Sequence, residues 1–168
     1  MTFAREMGCR MGLVRLSAIS FVIALAAVSA QAQSSAPGLN GISAVQLMVL
    51  PVDDEARQCG ISDDGLDAAA RIPVSNTNLK AVADSPYLLN IQTTTSRKGA
   101  SDCTTMIQVS ALRPAWFSPN PDAKSGMVAV WTKGTLLIGT ASTHGRRTYE
   151  AIEGLTKQFI GAWLRENN

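Results

Sequence analysis

The sequence predicts an α+β fold: a two-layer sandwich with two helices on one face of a mixed sheet of four to five strands, in the order β-α-(β)-β-β-β-α. Three observations predict it. Runs rich in apolar and β-branched residues recur at 44–52, 87–97, 103–113, 127–131 and 135–140, the signature of strands. The segment 147–165 instead repeats apolar residues every three or four positions, as a helix covering a core does. Two distant cysteines, Cys59 and Cys103, join strand ends that the connections alone would leave unrelated.

The domain begins after a leader. Arg5, Arg10 and Arg15 precede an uncharged run from Leu16 to Ala30, which closes on Ala30-Gln31-Ala32. A basic head, an apolar middle and an A-x-A exit read as a secretory signal peptide over 1–32. The apolar run is shorter than the roughly 20 residues a membrane span requires. Met11 offers a second start, and Cys9 lies ahead of the apolar run, so it leaves with the leader. Of the 168 residues, 136 remain: a flexible tail at 33–43, rich in turn formers, and a single domain at 44–168.

Removing the leader changes the charge. With Arg5, Arg10, Arg15 and Glu6 gone, the 15 basic and 13 acidic residues become 12 of each. A near-neutral chain predicts no nucleic-acid partner and no anionic membrane surface, because both select basic proteins. The expected compartment is the periplasm or the exterior, with no stable membrane span after cleavage.

In an oxidising compartment the two remaining cysteines read as a disulfide. A redox pair would sit as C-x-x-C, and zinc would need more ligands than His144 adds. The acids at 53–55 and 63–64 lack calcium-loop spacing, so no metal and no cofactor is implied. The bridge places the end of the first strand beside the start of 103–113, and the two run antiparallel.

The elements follow in order. Strand 44–52 leads into a helix at 62–71, with Ser62 as N-cap and Asp63 and Asp64 at its positive end. Ile72 before Pro73 predicts that this helix stops. A short strand at 79–82 is followed by strand 87–97, which turns through 98–102 into 103–113. A loop at 114–126 leads to 127–131. From there either 132–134 turns the chain into 135–140, or one bent strand continues past a bulge at Gly134. The helix at 147–165 closes the domain, with Gly154 and Gly161 on one face offering close approach to a neighbour. If 103–113 opposes both other strands, then 44–52 and 87–97 are parallel, joined by a β-α-β crossover.

Three surfaces are candidates for function. Alternation points Tyr87, Leu89, Ile91, Ile107 and Val109 one way. It points Asn90, Gln92, Thr94, Thr104, Gln108 and Ser110 the other, with Gln46 beside them. That second face is polar yet nearly uncharged, and reads either as a solvated sheet face or as a surface for a partner, a glycan or a second copy. His144, Arg146 and Arg147 stand where the last helix is expected to begin, which suits a small anion. Trp116 and Phe117, in a proline-rich loop, read as a partner anchor or as a lid folded over the sheet edge. Catalytic signals are sparse: His144 is the one histidine, and there is no G-x-S-x-G elbow, phosphate loop or dinucleotide pattern.

The stretches CGISDDGL (59–66), LKAVADSPYLLNIQ (79–92), VAVW (128–131) and HGRRTYEAIEGLTKQFIGAWL (144–164) resemble uncharacterised small exported bacterial α/β proteins with a signal peptide and two mature cysteines. The order of elements is loosely similar to accessory domains of envelope assembly lipoproteins, though no lipid-bearing cysteine follows the apolar run. The resemblance implies a fold and a compartment. The expected role is a non-enzymatic interaction module of the cell envelope, acting on an envelope protein or on itself. The alternatives are an anionic-ligand-binding protein using 143–150 and, third, a hydrolase.

Overall fold

Alternation along the middle of the chain builds the sheet. In β3 (Leu88–Lys98) and β4 (Asp102–Trp116), Leu89, Ile91, Thr95, Cys103, Thr105, Ile107 and Val109 are buried, while most of the residues between them are not. The computed structural model describes residues 38–116 and 125–168, and the leader at 1–32 lies outside them. Around β3 and β4 stand β1 (Ala44–Val49), β2 (Lys80–Ala81) and β5 (Ser125–Thr140), in the spatial order β2-β1-β3-β4-β5. β1 is parallel to β2 and β3, and the pairs β3–β4 and β4–β5 are antiparallel. The predicted mixed sheet and α+β class hold.

The helices are α1 (Asp54–Gln58), α2 (Asp63–Ser75) and α3 (Ala141–Asn167). α2 packs on α3, α2 on β1, and α3 on β4 and β5. The core between the layers is filled by residues such as Leu66, Val74, Leu89, Ile91, Ile107, Ile152 and Phe159. Trp131 adds an edge-on contact to Phe159, ring centroids 5.5 Å apart.

The disulfide forms as expected. Cys59, which caps the C-terminus of α1, is bonded to Cys103 with alpha carbons 6.1 Å apart. Both are fully buried. Ser62 caps α2 by accepting from the Gly65 N–H at 3.2 Å, also as expected.

Several boundaries differ from the sequence reading. α1 was not anticipated; Asp53 nucleates it by accepting from the Ala56 N–H at 2.7 Å, and a single turn is too short to show periodicity. α2 runs through Pro73 to Ser75. A proline in the last turn removes one backbone bond, and here its ring is buried in the core side of the helix. β4 continues through Pro114, which lies past Leu112, the last residue paired with β3. There β4 has only β5 beside it, and a missing N–H on the vacant side breaks no ladder bond. The expected loop at 114–126 therefore loses both its ends to strand.

β5 is one strand without a turn at 132–134, and its bulge is not at Gly134. Trp131 pairs with Ala111 and Ala129 with Leu112, so Val130 is the extra residue. Gly134 lies in regular pairing with Gln108, where an added Cβ would stand 2.8 Å from the Ile107 carbonyl oxygen. α3 starts at Ala141, six residues before the expected start. Its first turns bury His144, Gly145 and Thr148, so no apolar stripe announces them.

The described part of the expected tail, 38–43, is held rather than loose. Leu39 and Ile42 are buried. The Leu39 N–H donates to Glu166 Oε2 at 2.6 Å, and Trp163 Nε1 donates to the Ile42 carbonyl at 2.6 Å. The C-terminal turn of α3 thus clamps the entry to β1.

Candidate functional site

The face of the sheet turned away from the helices is built by register. Reading across the strands, Asn90 neighbours Ser110 and then Thr132; Gln92 neighbours Gln108 and then Gly134; Thr94 neighbours Met106 and then Leu136. Met48 stands beside Asn90 on the β1 side. The centre is polar: Gln108 Nε2 and Thr132 Oγ1 each donate to Ser110 Oγ at 3.1 Å. Those two side chains cover Ser110, which is buried although it points outward.

This face is less polar than the sequence reading had it. Toward the disulfide end it exposes Met106 (50%), Leu136 (56%) and Ile138 (65%). Toward the other end it carries Leu88 paired with Leu112, and the exposed Met127. The signal was present in TLLIG, an unbroken apolar run that supplies both faces of a strand at once. Met106 shares the alternation of Thr104, Gln108 and Ser110, an apolar residue in an otherwise polar row.

Among the described residues of this face, ionisable side chains appear only at its margins: Lys80 on β2, beside Ala44, and Lys98 with Asp102 at the β3–β4 turn. Lys133 and Arg113 alternate with the covered side, opposite Val109 and Val128. Arg113 stands 5.7 Å from the Tyr87 ring centroid and donates to the Gly38 carbonyl at 3.2 Å. Beyond the face, β5 forms one border of the sheet, with β4 as its sole strand neighbour among the described residues. The opposite border, β2, is two residues long. On β5 the Ile138 carbonyl is capped by Arg147 Nη1 at 3.0 Å.

The residues proposed for anion binding do not converge. Arg146 is exposed and donates to Glu150 Oε1 at 3.0 Å. Arg147 turns to the β5 carbonyl. His144 is fully buried against the sheet. Because α3 begins at Ala141, these three lie past its first amides rather than around them.

His144 Nε2 lies 2.8 Å from Thr105 Oγ1, which lies 2.9 Å from Thr95 Oγ1. Both threonines are buried. Burial, with Arg147 as a second influence, lowers the His144 pKa below its ordinary value, so the imidazole is neutral. A hydroxyl beside a neutral imidazole is the opening geometry of nucleophilic catalysis, but neither His144 nor Thr105 has any exposed surface for a substrate to reach. The pair is packing.

Trp116 ends β4, paired with Ser125; its side chain, like all of Phe117, lies outside the described residues. Among the described residues no cluster of His, Cys, Asp and Glu could hold a metal ion. None of the described helices is long and apolar enough to cross a membrane.

The sequence matches no known family and no curated protein. Among solved structures it is similar to a minor lipoprotein from Acinetobacter baumannii, with a TM-score of 0.34 and 9% identity, over 70% of this chain and 89% of that one. A likeness that faint bears on neither fold nor function.

Proposed function

We propose that this protein is an exported, non-enzymatic interaction module of the cell envelope, and that it binds a protein partner through the open sheet face. One observation carries the reading: a face whose centre, across β1, β3, β4 and β5, is free of charge, with ionisable side chains only at its margins and apolar side chains exposed at both ends. Depletion of charge and enrichment in methionine distinguish the buried centre of an interface from ordinary surface. The physical reason is that a charge stripped of water without a partner costs several kcal/mol, whereas amides and methionines are covered cheaply. Export is supported by the leader pattern at 1–32 and by the buried Cys59–Cys103 bond, which suits an oxidising compartment. The anion-binding alternative gathers no support from three side chains that diverge, nor the hydrolase from a sealed histidine.

A photo-crosslinking amino acid at Thr94, beside Met106 in the register, tests the reading in cells. The expected product is a discrete protein adduct, whether with a second copy or with another protein. Adding Leu136→Glu should reduce that adduct by about tenfold or more, since one desolvated charge weakens an interface by at least about 1.4 kcal/mol. The melting temperature should stay unchanged, because Leu136 is already largely exposed. No adduct from Thr94, with an adduct from a control site on α3, would remove the reading.

A further inference from the structure

We infer that the occupant of the open face is a second copy of this chain, packed sheet to sheet across a two-fold axis; the inference rests on the interaction reading above and names its partner. The face is large enough for a dimer. Four strands spaced about 4.8 Å apart, over some ten residues of about 3.3 Å each, cover roughly 600 Å² in projection. Side-chain relief brings that toward the roughly 800 Å² per partner of a standard stable interface. The whole uncharged face, and not a corner of it, is the footprint of a dimer.

Two identical chains packed face to face are related by a two-fold axis. Such an axis sets every group near it against its own copy, which like charges cannot accept and amides can. A carboxamide is donor and acceptor together, so Gln92 and Gln108, adjacent in the register at the centre, complement themselves. The apolar patches flank this centre on both sides, Met106, Leu136 and Ile138 at one end and Leu112 and Met127 at the other. A two-fold in the plane of the interface that crosses the strands between Gln108 and Ser110 exchanges the two ends, and by the register sets Met106 against Leu112 and Ile138 against Met127 of the other copy. Among the described residues, the centre of the face offers no charge to a partner of either sign, since Lys80, Lys98 and Asp102 stand at its margins.

Strand-to-strand addition along β5 is obstructed at Ile138, whose carbonyl already accepts from Arg147. Packing through the face leaves that bond in place. Aligned sheets stack about 10 Å apart, a gap that the methionine and leucine side chains fill.

Sedimentation velocity of the oxidised protein, from about 1 to about 200 µM, is the test, a range that resolves dissociation constants typical of reversible dimers. The expected result is a dimer whose fraction rises with concentration. Gln92→Cys should form a covalent dimer under mild oxidation, while Lys157→Cys, exposed on α3, should not. The Met106→Glu, Leu136→Glu double variant should remain monomeric at the highest concentration, with an unchanged melting temperature. A wild type monomeric throughout, a double variant that still dimerises, or equal cross-linking from position 157 would overturn the inference. If the wild type is monomeric and the Thr94 cross-linker captures a different protein, the second copy is excluded and the interaction module stands. If there is no adduct either, both fall.

Discussion

At the scale of single residues, His144 and Gly145 show how the beginning of α3 is set by neighbours that no local pattern reveals. His144 sits between Thr105 on the sheet and Gly139 on β5; a Cβ on Gly139 would come within 2.8 Å of Arg147 Nη1 and 3.5 Å of His144 Nδ1. Among the described residues, the sheet offers the imidazole the Thr105 hydroxyl, and the charge acting on it is that of the Arg147 guanidinium. Its pKa is therefore depressed in the fold, first by burial and then by that like charge. The sign follows: below the unfolded value of about 6.5 the unfolded chain takes up a proton that the folded chain refuses. Stability is complete above that pH and falls as pH drops toward the folded pKa, by at most about 1.4 kcal/mol per pH unit. Urea midpoints at pH 7.5 and 5.5 should differ in the wild type and differ less in His144→Asn. Equal pH dependence in the two proteins would mean that His144 is not the group responsible. Nothing around position 144 in the sequence marked the residue as core, since a lone histidine ahead of two arginines looks like surface.

At the scale of elements, α3 carries glycines with opposite meanings. A Cβ on Gly145 would stand 2.0 Å from the Gly60 carbonyl oxygen and 2.6 Å from its carbon, so backbone meets backbone where α3 crosses the chain just after the Cys59 cap. Tyr149, one turn on, holds the same crossing by donating to the Gly60 carbonyl at 3.1 Å and accepting from the Ser62 N–H at 3.0 Å. Gly154 has open space around it, so the close approach expected there occurs at Gly145 instead. Gly145→Ala should cost about 2–4 kcal/mol, the range of strong overpacking. Gly154→Ala should stabilise by about 0.5–1 kcal/mol through helix propensity. Thermal unfolding of the two variants checks the contrast, and equal effects would contradict the packing described. Spacing could place both glycines on a helix, but only the path of 59–62 distinguishes them. The same holds for Gly134: the sequence marks an irregularity in β5, while the bulge at Val130 depends on how β4 lies against it.

At the scale of the whole molecule, the fold was legible where two independent constraints met. Alternation defined the strands, and the cystine fixed how β1, β3 and β4 align; together they yielded the parallel β1–β3 pair and the antiparallel β3–β4 pair. What stayed hidden was whatever depended on a single turn or a distant clamp, such as α1 and the hold of Trp163, Glu166 and Asn167 on 38–43. The open face was half legible, because its amides and Met106 follow simple alternation, whereas the consecutive Leu136, Leu137 and Ile138 give no sign of which side chains face out. The cystine also closes 44 residues of chain, which on loop-closure entropy stabilises the fold by up to about 4 kcal/mol. It is not the sole tie at that point. Glu55 Oε2 accepts from the Arg97 N–H at 2.9 Å, and Arg97 also donates to Gln58, so α1 stays docked on β3 when the sulfurs are gone. The Cys59→Ala, Cys103→Ala double variant should therefore still fold, with a loss of about 2–4 kcal/mol in urea unfolding. Amide exchange should rise first over 53–62, whose backbone bonds close only its own turns and which is tied to β3 and α3 through side-chain hydrogen bonds. A variant as stable as the wild type would show that the bridge constrains nothing the sheet does not already hold, and one that fails to fold would show that the Glu55 and Gln58 contacts are too weak to keep α1 in place.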